Sequence, residues 1–306
     1  MTAKTLPLSH ERPGPEPVSF PRPLKGSASQ HLVVTLLADY WRESSQWLPS
    51  RLILALAADL GLSTSATSTA LSRLAGRGVL EQSNAGRTSR YRFTPQAKKR
   101  LNIGIGQVSE FGSAERFWDR TWTVVAFTVP ESSREVRELL RSRLRWLGFA
   151  PLYGAVWVSA WDTADELEHS CREYGVDNYA IFRTSEEQLR GRPLIEAWDL
   201  DGLRRQYNPF IEAYRRHSET SAGKVTGAEA LRLRTEVMDA WRAFPWEDPG
   251  LPPELLPPDF PLFEARRLFV NLYDSLLDPA VQHVEGLVSV LAPELTGATR
   301  AFPVRA

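Results

Sequence analysis

The sequence predicts an α+β protein made of three successive units. In residues 27–101, three runs with the apolar spacing of helices precede two short extended runs. Residues 115–192 show the order strand, helix, strand, strand, helix, strand, and residues 193–291 have a helical pattern. At roughly 150 residues per domain, a chain of this length divides into two domains or three small ones. With 42% hydrophobic side chains among its 306 residues, it has enough apolar content for a core in each.

The composition excludes several protein classes. The longest uninterrupted apolar stretch runs only from Leu52 to Ala58, far short of the ~20 residues that a membrane helix needs. A single cysteine, Cys171, leaves no intramolecular disulfide framework and no Cys-rich zinc site. No signal-like leader opens the chain, and its apolar content argues against a disordered or collagen-like protein. We therefore expect a soluble cytoplasmic protein without a membrane partner.

The first segment differs in composition from the rest. It carries few apolar side chains and six prolines, so it cannot offset the entropy cost of ordering, and we expect a flexible arm. The predicted boundaries are 1–26 for this Pro-rich arm, 27–101 for a first domain, 102–114 for a linker helix, 115–192 for a middle domain, 193–291 for a helical domain and 292–306 for a tail.

Three short helices open the first domain. Ser50 and Ser63 are placed to cap the second and the third helix. Because only Gly61-Leu62 connects those two helices, they have the outline of a helix-turn-helix. The predicted helices cover residues 27–41, 51–60 and 64–76.

Two extended runs, 79–82 and 89–93, follow the third helix. The segment between them contains Asn84 and Gly86, which suit turn conformations, so the runs predict a hairpin. Such a hairpin is the wing of a winged helix-turn-helix domain. Thr94-Pro95 then supplies a cap and a first residue for the linking helix.

Charge is distributed unevenly although the whole chain has 37 basic and 37 acidic side chains. The window 71–100 holds eight basic residues and only Glu81 as an acid, a net charge of +7, so the remainder carries −7. A polyanion is expected to dock at the basic end. The basic residues are Arg73, Arg77, Arg87, Arg90, Arg92, Lys98, Lys99 and Arg100.

The third helix and the wing supply the predicted contacts to double-stranded DNA. On the helix, Ala66, Ala70 and Leu74, with Leu71 beside them, face the domain core. A row of hydroxyls lies opposite. Hydroxyls can bond base edges, and wing arginines can bind phosphates. A solvated face with individually solvated charges is the alternative interpretation. The predicted DNA-binding residues are Thr64, Ser65, Ser68, Thr69, Ser72, Arg73, Arg87, Arg90 and Arg92.

The middle unit has the βαββαβ order of a ferredoxin-like domain. On its first helix Arg137, Arg141 and Arg145 recur opposite an apolar side, as a solvated face or as a phosphate contact. Its predicted elements are strand 121–129, helix 132–147, a strand pair over 149–161, helix 164–174 and strand 178–183. Further helices are predicted around 203–214, 231–244 and 262–277.

Enzyme signatures are weak. Gly104-Ile-Gly106 lacks a third glycine at Ser109 and has no strand before it, so it is not a dinucleotide-binding loop. The five histidines are scattered. We expect no catalytic residue, no metal site, no cofactor and no enzymatic activity.

Nine segments distributed over the three units match one known family in order. They are Tyr40-Trp41, Trp47–Arg51, Thr69–Leu74, Gly86–Tyr91, Leu144–Phe149, Val156–Ser159, Ala197–Leu200, Leu231–Thr235 and Leu255–Pro258. Through these segments the chain resembles the PaaX-type transcriptional repressors, which control phenylacetate degradation in bacteria. The resemblance implies a winged-helix DNA reader, a Cas2-like ferredoxin-like middle domain, a helical C-terminal domain, a homodimer, and release from the operator by phenylacetyl-coenzyme A.

Two positions on the third helix depart from the family pattern. Ser68 stands where members often carry arginine, and Thr67 where they carry valine, so a different operator sequence is expected. An acyl-coenzyme A effector needs arginine at the mouth of its pocket and aromatic groups within. The predicted effector-binding residues are Arg145, Trp157, Trp198, Arg204 and Tyr207.

Three alternatives remain open. A Cas2-like nuclease would need a metal-binding carboxylate at the end of the first middle-domain strand, but the first carboxylate after it, Glu131, follows Pro130. A protein-interaction scaffold would leave the basic wing unexplained. A regulator of the same kind could also answer a different effector.

Overall fold

The computed structural model describes residues 28–85, 88–113, 117–185, 193–220, 225 and 227–304. Helices and strands both occur, and the chain divides into two compact units. The predicted arm lies outside the described residues. Among the helices that the structure describes, none is long and apolar enough to cross a membrane. The first unit contains the described residues of Met1–Asn102 with Glu285–Arg300, and the second contains those of Ile103–Val284 with Ala301–Ala306.

Three helices open the first unit: α1 (Ala28–Trp41), α2 (Ser50–Asp59) and α3 (Thr64–Gly76). The Ser63 hydroxyl accepts a hydrogen bond from the Ala66 amide at 3.2 Å, which confirms the predicted cap of α3. The predicted cap of α2 is wrong. Pro49 occupies the cap position with an extended backbone and Ser50 is the first helical residue, because Pro49 continues a strand into the helix.

A three-stranded antiparallel sheet completes this unit in the order β1-β3-β2. The wing strands are longer than predicted because their pairing continues to Ala85 and Thr88. The sequence pattern does not reveal β1, because two residues that include a proline carry no strand periodicity. The strands are β1 (Leu48–Pro49), β2 (Leu80–Ala85) and β3 (Thr88–Phe93).

The helix after the sheet, α4 (Pro95–Glu110), begins as predicted. The Thr94 hydroxyl accepts from the Ala97 amide at 3.1 Å and donates to the Gly78 carbonyl at 2.8 Å, so it also fixes the helix start to the end of α3. The helix continues through residue 102, the start of the predicted linker segment, to Glu110.

The second unit begins with the βαββαβ order that the sequence predicts. Its sheet is antiparallel throughout, with strand order β5-β6-β4-β7. Val125 and Trp157 point to the helix-covered face and pack with Leu140 and Leu144 in the core. The elements are β4 (Thr121–Phe127), α5 (Arg134–Trp146), β5 (Ala150–Tyr153), β6 (Val156–Ser159), α6 (Ala164–Glu173) and β7 (Tyr179–Ser185).

All regular elements described between residues 193 and 304 are helices. An aromatic cluster holds several of them together, with Trp241 stacked on Phe269 at 4.8 Å between ring centres. The helices are α7 (Leu200–Thr220), α8 (Gly227–Trp241), α9 (Phe244–Glu247), α10 (Leu262–Ser275) and α11 (Leu277–Leu291).

Candidate functional site

The exposed side of α3 carries the predicted hydroxyl row. Its opposite side, formed by Thr67, Ala70, Leu71 and Leu74, is buried against the rest of the first unit. All six predicted contact residues of the helix are exposed: Thr64, Ser65, Ser68, Thr69, Ser72 and Arg73. A polar, solvent-facing helix surface of this kind can enter a DNA major groove.

Thr67 does not belong to that surface. Its side chain is 0% exposed, and its hydroxyl donates to the Ser63 carbonyl at 3.0 Å. The expectation that Thr67 contributes to a different operator sequence is therefore wrong. A buried threonine can replace a valine of similar shape because the backbone carbonyl satisfies its hydroxyl. Ala70, Leu71 and Leu74 are buried as predicted, but the fourth buried residue is Thr67, and Ala66 is only half-buried.

The wing arginines differ in their partners. Arg90 and Arg92 lie on the same face of β3, because Tyr91 and Phe93 between and beside them are buried. Arg92 is opposite Glu81 in the strand register and pairs with it at 2.6 Å. Its guanidinium also lies 4.3 Å from the ring centre of Trp47.

The charge of Arg92 is thus largely compensated within the sheet. Arg90 is half-buried, and no carboxylate lies within 4 Å of its guanidinium among the described residues. Of the two described wing arginines, Arg90 is the better placed to bind a phosphate. The DNA contact of Arg92 stays a prediction, and Glu81 competes for its guanidinium. Arg87 lies outside the described residues.

The arginine row on α5 is mostly satisfied by neighbours. Arg137 donates to the Val129 carbonyl at 3.0 Å and lies 3.3 Å from Glu131, and Arg141 pairs with Glu138 at 3.1 Å. Local pairs of this kind are typical of a solvated helix face. Arg145, one turn further, has no carboxylate within 4 Å among the described residues.

A cleft of about 1090 Å³ opens in the second unit. The end of α4, the end of α5, the start of α7, the segment 245–253 and the start of α10 contribute to it. The segment 245–253 is held in place at Trp161, whose indole N–H donates to the Gly250 carbonyl at 2.7 Å. Seven aromatic side chains line the cleft: Phe111, Trp146, Phe149, Trp161, Trp198, Trp246 and Phe263.

Two of the five predicted effector residues, Arg145 and Trp198, line this cleft. Trp157 does not. The alternation of β6 puts its indole into the core under α5 and α6, where it is 2% exposed. The Arg145 guanidinium lies 5.5 Å from its ring centre.

The prediction is also wrong for Tyr207 and Arg204, since neither residue lines the cleft. Tyr207 is fully buried, stacks on Phe244 and donates to the Asp248 carboxylate at 2.5 Å. Arg204 pairs with Asp259 at 3.0 Å and lines a separate pocket of about 630 Å³. Leu203 lines the large cleft, and the next residue of a helix points about 100° away, which explains why Arg204 faces elsewhere.

Burial controls the ionisation of the Tyr207–Asp248 pair. Desolvation raises the pKa of Asp248, and the hydrogen bonds from Tyr207 and from the Gly250 amide only partly oppose it. Desolvation and the neighbouring carboxylate together raise the pKa of Tyr207 well above 10. The pair fixes the segment 245–253, which forms one wall of the cleft, to α7.

Sequence reasoning missed two tryptophans of the cleft. Trp146 is 52% exposed and Trp246 is 64% exposed, although large aromatic side chains are usually buried. Trp146 could have been found on the helical wheel, because it falls outside the buried stripe of Leu140 and Leu144. Trp246 lies in the four-residue helix α9, which is too short for a helical wheel to give such a signal.

The end of β4 shows no arrangement suited to a metal. Glu131 is exposed there and pairs with Arg137. Within the part of the chain that the structure describes, no group of three or more His, Cys, Asp or Glu residues could hold a metal ion.

Three protein-family models match successive parts of the chain. They are the PaaX-like protein model over residues 28–97, the PaaX protein central Cas2-like domain over 115–194, and the PaaX-like protein C-terminal domain over 198–286. The chain belongs to the PaaX family. Its middle domain is therefore Cas2-like, as the resemblance of the quoted segments implied.

Two known proteins show the extent of the family likeness. The chain is 28% identical over 249 residues to the transcriptional repressor PaaX of Escherichia coli, covering 78% of this chain and 76% of that protein. A solved structure of an uncharacterized protein from Mycobacterium tuberculosis has a TM-score of 0.53 and 19% identity, covering 83% of this chain and 98% of that chain. The second likeness shows a shared fold alone.

Proposed function

We propose that the protein is a transcriptional repressor that binds double-stranded operator DNA through a winged helix-turn-helix formed by α1, α2, α3 and the β2–β3 hairpin. The observation that carries the proposal is the α3 surface, where every predicted contact residue is exposed beside a strongly basic segment. The Escherichia coli relative is named a transcriptional repressor, which supports the same role here.

The two parts of this surface have different tasks. Ser68 and Ser72 lie at the centre of the exposed hydroxyl row and contact base edges, which discriminates between sequences. Arg90 and Arg87 contact phosphates, which adds affinity without reading the sequence. A homodimer would present two such surfaces to half-sites separated by whole turns of DNA.

The effector is proposed to be an aryl-acyl-coenzyme A thioester such as phenylacetyl-coenzyme A, and the regulated genes those of an aromatic-acid catabolic operon. The cleft of the second unit is its proposed site, with Arg145 and Trp198 retained from the predicted residues. Binding must favour the shape that releases DNA, because a ligand with equal affinity for both shapes would shift nothing. The proposed setting is the cytoplasm, and no catalytic step is proposed.

Footprinting tests the repressor role. Purified protein is added to DNA around its own gene, at low and physiological salt, with and without phenylacetyl-coenzyme A. We expect a protected segment that disappears with the ligand, and intact DNA after incubation with Mg²⁺.

Two exposed serines provide a matched pair of variants. Ser72→Glu adds a negative charge to the α3 surface and should abolish protection, whereas Ser142→Glu makes the same change on the exposed side of α5 and should leave protection intact. Absence of any protected segment, or equal protection by both variants, would overturn the proposal.

A further inference from the structure

The charges that line the cleft are mostly negative. Four carboxylates at its surface are exposed, Glu110, Glu166, Asp199 and Glu247, and Arg145 is the sole basic residue among the described lining residues. Asp199 lies 3.7 Å from Arg205. No basic group lies within 4 Å of the other three carboxylates among the described residues, so the described lining carries an excess of negative charge.

The apolar surface of the cleft is aromatic and accessible. Trp146 at the end of α5 and Trp246 in α9 both expose more than half of their surface. Trp198 also lines the cleft and is half-buried. A flat ligand would cover the two exposed indoles.

Arg145 can accommodate one anionic or carbonyl group. Its guanidinium carries five N–H donors, and no carboxylate pairs with it among the described residues. Two or more phosphates, however, would be repelled by the three unpaired carboxylates, and Arg145 would be the one basic side chain of the described lining to compensate their charge.

We infer that the cleft binds an electrically neutral aromatic ligand group and excludes a polyanion. The inference rests on the proposed effector in one respect. If the ligand is an aryl-acyl-coenzyme A thioester, its acyl and thioester end binds in the cleft and its nucleotide end stays outside. The aromatic acid must then be recognised through Trp146, Trp246 and Trp198, with the thioester carbonyl near Arg145.

Calorimetry with three ligands tests this division. Phenylacetyl-coenzyme A, the neutral thioester phenylacetyl-N-acetylcysteamine and free coenzyme A are titrated into the full chain. We expect the two thioesters to bind within about tenfold of each other, and free coenzyme A not to compete with either. Raising the salt concentration should change the affinities of the two thioesters by the same factor, because the phosphates of the coenzyme A thioester lie outside the cleft and away from its charges.

Variants separate the aromatic contribution from the charges. Trp246→Ala should weaken both thioesters by about tenfold, and Phe182→Ala, an exposed aromatic on β7 outside the cleft, should weaken neither. Glu247→Gln removes one negative charge from the cleft and should change the affinities of the two thioesters by the same factor, because neither places a phosphate there. Circular dichroism of each variant checks that the fold is retained.

Binding of phenylacetyl-coenzyme A about a hundredfold or more tighter than its neutral analogue, or competition by free coenzyme A, would overturn the inference while leaving the proposed repressor and its effector intact. If neither thioester binds, the inference falls together with the proposed effector. The footprint without ligand would still decide whether the protein binds DNA.

Discussion

The exposed side of α3 and the cleft of the second unit differ in chemistry and in how the chain builds them. One is a hydroxyl row beside a segment with a net charge of +7, and the other is an aromatic surface with four exposed carboxylates and one arginine. The first comes from a single helix, whereas the second is assembled from at least five separate segments. A net charge of zero for the whole chain thus conceals two surfaces suited to opposite kinds of partner.

The largest expected effect separates the two sides of α3. Thr67→Lys places a charge where the side chain is fully buried and has no acidic neighbour in the helix, so we expect it to destabilise the first unit by about 4 kcal/mol or more. Urea unfolding measures the loss. Ser68→Lys, one residue further along on the exposed side, should change the free energy of unfolding by less than ~0.5 kcal/mol. Equal losses would mean that the helix is not oriented as described.

The next prediction compares the two arginines assigned to the effector. Arg145→Ala should weaken phenylacetyl-coenzyme A binding by roughly 1.5–3 kcal/mol, because it removes the one basic side chain among the described lining residues of the cleft. Arg204→Ala should leave the affinity unchanged, since Arg204 pairs with Asp259 in a separate pocket. Calorimetry decides between them, and the reverse outcome would move the ligand to that pocket.

The wall of the cleft should respond to pH through Asp248. Its folded-state pKa is raised above the ordinary 3.8, so its contribution to stability is present below that value and is lost as pH rises through the raised pKa. Asp248→Asn should remove this part of the pH dependence in urea unfolding curves. At neutral pH, Tyr207→Phe should cost roughly 1–3 kcal/mol, because it takes a hydrogen bond from a buried carboxyl. Identical pH profiles of wild type and Asp248→Asn would contradict the assignment.

A further prediction sharpens the interpretation of the α3 surface. Ser68→Arg should change the preferred base at one operator position by roughly 1–3 kcal/mol if a bidentate guanine contact forms. The control is Thr67→Val, which alters a buried residue and should keep the wild-type consensus. Selection from a random DNA library compares the three proteins. An unchanged consensus for Ser68→Arg would place Ser68 away from the bases.

The smallest expected effect concerns the wing. Arg90→Ala should flatten the plot of log affinity against log salt by about one unit, because one phosphate contact is lost. Arg92→Ala should flatten it less, since Glu81 already compensates its charge, and Glu81→Gln should steepen it. Arg87→Ala is expected to act like Arg90→Ala. Fluorescence anisotropy at several salt concentrations provides the slopes, and equal slopes for Arg90→Ala and Arg92→Ala would show that the Glu81 pair has no influence.

Features that depend on neighbours along the chain could be predicted. The three helices of the first unit, the cap at Ser63, the hairpin and the βαββαβ order all occur where apolar spacing and turn residues placed them. The exposed row on α3 could also be derived, because helix periodicity alone fixes which residues share a side. The buried side differs from the prediction in one residue, because Thr67 is buried with its hydroxyl bonded to the Ser63 carbonyl, whereas Ala66 is only half-buried.

Features that depend on distant segments were decided only by the tertiary structure. The partner of Arg92 follows from the register between β2 and β3, and the burial of Trp157 follows from which face of the sheet the helices cover. In the sequence, Tyr207 and Arg204 were equally good candidates for ligand contacts. In the structure, Tyr207 is hydrogen-bonded to the buried Asp248, and Arg204 is paired with the exposed Asp259. Local periodicity determines what a helix or strand exposes, whereas the composition of a cleft depends on which elements meet there, and no spacing within one element specifies that.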